Sequence, residues 1–217
     1  MMRPIPLLLL LASCGPLVTI GASGPRTESL LTLSAEPPAV PGTPDTALDM
    51  ESAIAVDTPV VPGVLQTRRI PVHVADTEIR YVPVAQWSEQ PNRLFRQLLS
   101  DRLAADGLAV VDPRSSGRVP GRRLTGQLLL FGVDVRSGQQ ARVRYDATLA
   151  DRNGVHQRRF EAEEPVGDAT EGGAVAAALN RATNRLAGEV SDWVRTPAES
   201  VSETVPGSVL DRGSDGR

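Results

Sequence analysis

The sequence predicts a single α+β domain, a mostly antiparallel mixed sheet with two amphipathic helices packed against it. Three observations predict it. Short apolar pieces broken by Pro and Gly fill residues 53–82, the pattern of strands joined by turns. Two later segments, around 94–105 and 175–193, repeat apolar residues every three or four positions, the period of one helix face. Between them, residues 123–166 alternate in the manner of a strand meander. With 217 residues, 41% of them hydrophobic, the chain can bury one core of ordinary domain size.

The first element is not part of that domain. Arg3 precedes the apolar run Leu7 to Ala12, and the small residue Ser13 leads into Cys14, which is the pattern of a secretory signal. The run falls far short of the roughly 20 residues that span a bilayer. Residues 1–13 are therefore expected to be a signal peptide. Residues 14–29, rich in Gly, Ser, Thr and Pro, are expected to be a flexible tether. The domain itself is expected over residues 30–194, with a disordered tail over 195–217.

Within the domain, Leu30 to Leu33 is a short strand candidate, followed by a Pro-rich crossing or loop from Pro37 to Pro44. Residues 53–56, 60–65, 70–74 and 78–82 are expected strands. A helix should begin near Gln90 and Pro91, bury Leu94, Phe95, Leu98, Leu99 and Leu103, and end at Gly107. Residues 108–111 should form a strand stopped by Asp112 and Pro113. The strand from Arg123 is apolar on both faces through Leu129 and Phe131, which suits the interior of a sheet. The next strand turns Ala141, Val143, Tyr145, Ala147 and Leu149 one way and Arg142, Arg144, Asp146 and Thr148 the other. Asn153 and Gly154 supply a tight turn into a partner strand from Val155. After Asp168, Ala169 and Thr170, the stripe Val175, Leu179, Ala182, Leu186, Val190 and Trp193 forms the second helix, ended by Thr196 and Pro197.

Composition narrows the function. A net charge of −3 with scattered acids gives no basic surface for nucleic acid. The single cysteine excludes an internal disulfide and a multi-thiolate metal site. No Gly-rich turn leads into a helix with Lys and Ser or Thr, and Gly126, Gly132 and Gly138 lie within or between strands, so if the chain works in an ATP-driven machine, another subunit must hydrolyse the ATP. Asp146 and Asp151 could be imagined as a catalytic pair, but a strand face and a hairpin turn are ordinary solvated positions. Glu161, Glu163 and Glu164 could hold a cation, or simply keep an edge strand soluble. His73 lacks a second ligand at metal spacing and reads as a half-buried histidine. Tyr81 and Trp87 stand out because aromatic residues are only 3% of the chain. They flank the turn before the first helix and either pack it onto the core or form a candidate partner interface.

The segment Leu11-Ala12-Ser13-Cys14 resembles the lipobox of bacterial lipoproteins. That resemblance implies a diacylglyceryl group on the Cys14 thiol, cleavage before it and a further acyl chain on its new amino group, with no other cofactor. Several acyl chains on one residue exceed the two lipid signals that stable anchoring takes. Gly15 stands where an aspartate would retain a lipoprotein at the inner membrane, which implies the outer membrane, with the domain facing the periplasm.

The order of the remaining elements resembles the ABC-type transport auxiliary lipoprotein component family, which includes the paraquat-inducible protein C lipoproteins. The matching features are Leu30-Leu31-Thr32-Leu33-Ser34 near the family's opening, then Ile79-Arg80-Tyr81, Trp87 and the helix around Leu94 to Leu103, followed by the meander and the last helix. The resemblance implies a non-enzymatic subunit of an envelope system that moves lipid between membranes. Its partners would be an ABC permease and ATPase and an MCE-domain (mammalian cell entry) protein, which this subunit would dock, with a homo-oligomer as a further implied state. Two other readings compete: a carrier that binds apolar ligand in its own cavity, and an envelope hydrolase, which would need a nucleophile and base that the sequence does not display.

Overall fold

The computed structural model describes residues 29–38, 48–112 and 117–196. The signal segment, Ser13, Cys14, the tether before Ser29, the Pro-rich stretch over residues 39–47 and the tail from residue 197 lie outside the described residues.

The elements run β1 (Leu30–Leu31), β2 (Ile54–Val56), a 3-10 turn (Gly63–Leu65), β3 (Arg69–Ala75), β4 (Glu78–Trp87), α1 (Pro91–Ala105), β5 (Arg122–Asp134), β6 (Gln140–Asp151), β7 (Gly154–Pro165) and α2 (Gly172–Arg195). They build an open seven-stranded sheet in the order β1-β4-β3-β5-β6-β7, with β2 paired to β5. The β3–β4, β5–β6 and β6–β7 pairs are antiparallel. The β1–β4, β2–β5 and β3–β5 pairs are parallel. This is the expected mixed sheet, and both helices cover one face of it. Phe95 of α1 packs on Tyr145, and Trp193 of α2 packs on Phe160, the cross-strand partner of Tyr145.

The doubly apolar character of β5 has a specific cause. A register shift between Leu128 and Leu130 inserts a bulge, which reverses which residues face the helices. Leu124 and Leu128 are fully buried before the bulge, and Phe131 and Val133 after it. The strand also lies inside the sheet, between β6 on one edge and β2 and β3 on the other. On β6 the alternation is regular: Ala141, Val143, Tyr145, Ala147 and Leu149 are buried and the residues between them are half-exposed.

The first helix begins as its residues dictate, with Gln90 as N-cap and Pro91 in the first turn. Its buried face is Leu94, Phe95, Leu98, Leu99 and Leu103, and Gly107 ends it with φ +87°. The second helix is capped by Glu171, whose carboxylate accepts from the backbone N–H of Gly173 and Ala174. Val175, Leu179, Ala182, Leu186 and Val190 are fully buried, while Trp193 lies half-buried against Phe160.

Two expected strands are corrected. Residues 60–65 contribute only a bridge from Val60 to Gln127 before Pro62 and Gly63 turn the chain into the 3-10 turn. Residues 108–111 likewise make a single parallel bridge, Val110 to Ile54, because β2 has only three residues to offer and β5 holds its other edge. The position of Tyr81 and Trp87 is also corrected. Both lie within β4, which runs on to Trp87, and the turn comes after them at Ser88 to Gln90.

Candidate functional site

The face of the sheet opposite the helices is a ladder of ion pairs. Side chains alternate along a strand, so Arg142, Arg144 and Asp146 on β6 meet Glu163, Glu161 and Arg159 on β7 directly across the pair. Arg144 and Glu161 approach to 2.8 Å, Asp146 and Arg159 to 2.7 Å, and Arg142 pairs with Glu163. The ladder continues through Asp134, a buried carboxylate that accepts from Arg136 at 2.6 Å and Arg142 at 3.0 Å. Arg136 extends it to Asp76 at 2.6 Å. Hydrogen bonds from Arg136, outweighing the cost of burial, hold the Asp134 carboxyl well below the usual carboxylate range.

This arrangement places each candidate acid. Asp146 faces the ladder, and its hydrogen bond with Arg159 lowers its pKa. Asp151, five residues along, has the parity of the buried set and accepts from the backbone N–H of Asn153 at 2.7 Å. The two carboxylates therefore point to opposite sides of β6 and do not form a catalytic pair. Glu161 and Glu163 are held by the ladder arginines, and Glu164, on the helix side, by Arg181 and Arg185 of α2. Among the described residues no group of three or more His, Cys, Asp or Glu is arranged to hold a metal ion. His73 is half-buried beside Asp134, and burial lowers its pKa, which favours the neutral ring.

Tyr81 and Trp87 separate. Tyr81 is half-exposed on β4, with the Arg69 guanidinium 4.1 Å from the centre of its ring. Trp87 has no exposed surface and packs on Phe131 at 5.5 Å. Its ring belongs to the core in this conformation, because β4 turns Trp87 toward the helix-covered face before the chain enters α1.

A cleft of about 1230 Å³ opens at the end of the sheet where the β6–β7 hairpin meets the C-terminus of α2. Charged residues such as Glu51, Arg122, Asp151 and Arg195 line it beside Trp193 and Leu149. His156 lies there 4.0 Å from Asp151, and its Nε2 has no hydrogen-bond partner among the described residues.

A clamp on the first strand was not legible in the sequence. Asn180 and Asn184, one turn apart on α2, hold the chain just after β1. Ser34 N–H donates to Asn180 Oδ1 at 2.8 Å, Glu36 N–H donates to Asn184 Oδ1 at 2.7 Å, and Asn184 Nδ2 donates to the Ser34 carbonyl at 2.8 Å. The amides thus replace the partner strand that the segment lacks. Two Asn at i and i+4 inside an otherwise Ala- and Leu-rich stripe were the available signal. Asn is a poor interior helix residue unless it has a bonding task of this kind.

Comparison with known proteins agrees with the architecture. A crystal structure of a Xanthomonas campestris protein of the DUF330 family superposes with a TM-score of 0.60 at 20% identity, covering 76% of this chain and 92% of that one. An uncharacterized protein superposes at 0.57 and 14% identity, covering 69% and 96%. At those identities the likeness concerns the fold. No curated protein matches the sequence. The family model described as ABC-type transport auxiliary lipoprotein component matches residues 31–191, a span that begins in β1, includes the Asn184 clamp and ends in the last turns of α2. The chain accordingly belongs to the ABC-type transport auxiliary lipoprotein component family.

Proposed function

We propose that the chain is the anchored, non-enzymatic subunit of an ABC/MCE-type system for lipid transport between membranes, docking the MCE-domain protein at the outer membrane. Its family membership makes it a membrane-associated periplasmic component of ABC-type transport. Its non-enzymatic part rests on one observation: the family match covers residues 31–191, nearly all of the sheet-and-helix domain, and describes an auxiliary transport component. Two features support the proposal. The lipobox-like segment ending at Cys14 precedes that domain by a short tether, and Gly15 after it favours the outer membrane. The open-face acids are each held by an arginine, and Asp134 and Asp146 have lowered pKa values, whereas a general acid needs a raised one. Energy for transport would come from the permease and ATPase partners. Self-association belongs to the same reading, and the long outer edge of β7 supports it.

Cross-linking in intact envelopes followed by purification of the full chain tests the proposal. An MCE-domain protein recovered together with the permease and ATPase is the expected result, and Tyr81→Ala should reduce that recovery without lowering thermal stability. Recovery of the permease and ATPase with no MCE-domain protein would overturn the docking role.

A further inference from the structure

The corner of the sheet where the chain enters combines three features. The parallel register pairs Leu30 with Gln86 and Leu31 with Trp87, so the chain arrives at Ser29 beside Ala85, next to Val84. Val84 is 81% exposed and Leu30 52%, with Pro83 exposed between β4's two buried residues Val82 and Ala85. Val84 also holds φ +54°, the one non-Gly residue described with positive φ, in a region that a β-branched side chain rarely adopts. A strained residue that persists is held by its surroundings. Here the holder is α2, which lies so close beneath that a Cβ on Gly172 would meet the Ala85 Cβ at 2.7 Å. Ala85 is pressed inward, and the bulge in β4 turns Val84 outward. Across the same row, Arg69 pairs with Gln86 and is exposed, its guanidinium lying 4.1 Å from the centre of the Tyr81 ring, so a cation stands on the neighbouring strand.

We infer that this corner, Leu30, Pro83 and Val84 with Arg69 beside them, rests on the lipid surface to which the chain is tethered, the valine and leucine entering the acyl boundary and the arginine meeting phosphate headgroups. The inference rests on Cys14 carrying the lipid. Fifteen residue steps separate Cys14 from Ser29, which caps their separation at about 50 Å, and the corner is where that tether joins the domain. The β7 edge lies five strand spacings away, roughly 24 Å farther along the sheet. The tether makes the second contact intramolecular, so a modest apolar patch is enough to engage. Apolar residues flanked by cations are the composition of interfacial contacts.

The test uses full-length lipidated protein in phosphatidylcholine–phosphatidylglycerol vesicles. Cys14 is the only cysteine and its thiol is acylated, so a cysteine introduced by Val84→Cys or Val155→Cys takes an environment-sensitive fluorophore at one place. Val155 is 67% exposed on the far edge and serves as the reference. The expected result is a blue-shifted probe at position 84, quenched several-fold more by doxyl-labelled lipid than the probe at position 155. In a second pair, a probe at Leu30→Cys should lose most of its quenching when Val84→Asn is added, a change that suits the left-handed backbone but removes the apolar side chain. Equal quenching at positions 84 and 155 in protein that floats with the vesicles overturns the inference and leaves the anchor standing. Protein that does not float overturns both. A probe at 84 that is shielded only as protein concentration rises assigns the corner to a second copy and also overturns it.

Discussion

The rings of Trp87 and Phe131 meet at a centroid separation of 5.5 Å and an angle of 49°, joining the last residue of β4 to β5 inside the core. Trp87→Ala is therefore expected to lower unfolding free energy by about 3–5 kcal/mol. Trp87→Phe should cost much less, because the indole N–H has no hydrogen-bond partner among the described residues to lose. Urea denaturation midpoints of the two variants check this. Unchanged stability in Trp87→Ala would mean the ring serves only a surface contact.

Gly132 lies where β3 and β5 join the two halves of the sheet. A Cβ there would strike the Pro71 carbonyl and approach the Pro71 ring carbon Cγ to 2.8 Å. The carbonyl is backbone and cannot swing aside, so Gly132→Ala should cost about 1–3 kcal/mol by overpacking. Gly63→Ala, whose Cβ would meet nothing within 4 Å, is the control, and thermal unfolding of both reads the difference.

Asp134 contributes to the acid limb of stability. Its pKa is lowered in the folded protein, so the stabilisation it provides is fully present above the ordinary aspartate value of about 3.9 and disappears as pH falls through its lower folded value. Asp134→Asn should cost about 1–3 kcal/mol at neutral pH, the worth of hydrogen bonds to charged groups. It should also flatten the loss of stability between about pH 4 and the acid limit. Denaturant titrations at several pH values give both numbers, and an unaltered acid slope would remove Asp134 from the account.

Asn184→Ala should free the segment from Ser34 to Glu36. The change removes two hydrogen bonds that serve backbone groups of that segment, Glu36 N–H and the Ser34 carbonyl. A loss of about 1–3 kcal/mol is expected if those groups stay buried, and less if they reach water. Hydrogen exchange is the sharper readout: the Glu36 amide should lose protection while β6 amides keep theirs.

Cys14→Ser removes the nucleophile that would take the diacylglyceryl group. The variant should leave the membrane fraction or accumulate unprocessed, because the acyl chains that would hold it there are not added. Metabolic labelling with palmitate should be lost with it. Retention and labelling equal to the unaltered chain would refute the anchor.

The sequence by itself determined the class of fold, the two helices and the β5–β6–β7 meander, because each is written in local periodicity: 3.6 for the stripes at Leu94 and Val175, two for Ala141 to Leu149. It also reserved one cysteine for the start of the chain. What only the tertiary structure decided depends on partners distant in sequence. Whether Leu108 to Val111 becomes a strand was settled by the three residues of β2, and the double apolar face of β5 by a bulge that local pattern cannot register. The core position of Trp87 followed from how far β4 extends before α1 begins. The Asn180 and Asn184 clamp joins residues some 150 positions apart, and no window on the chain contains both ends of it. Local periodicity states which face of a segment is apolar, and only the assembled sheet states what that face meets.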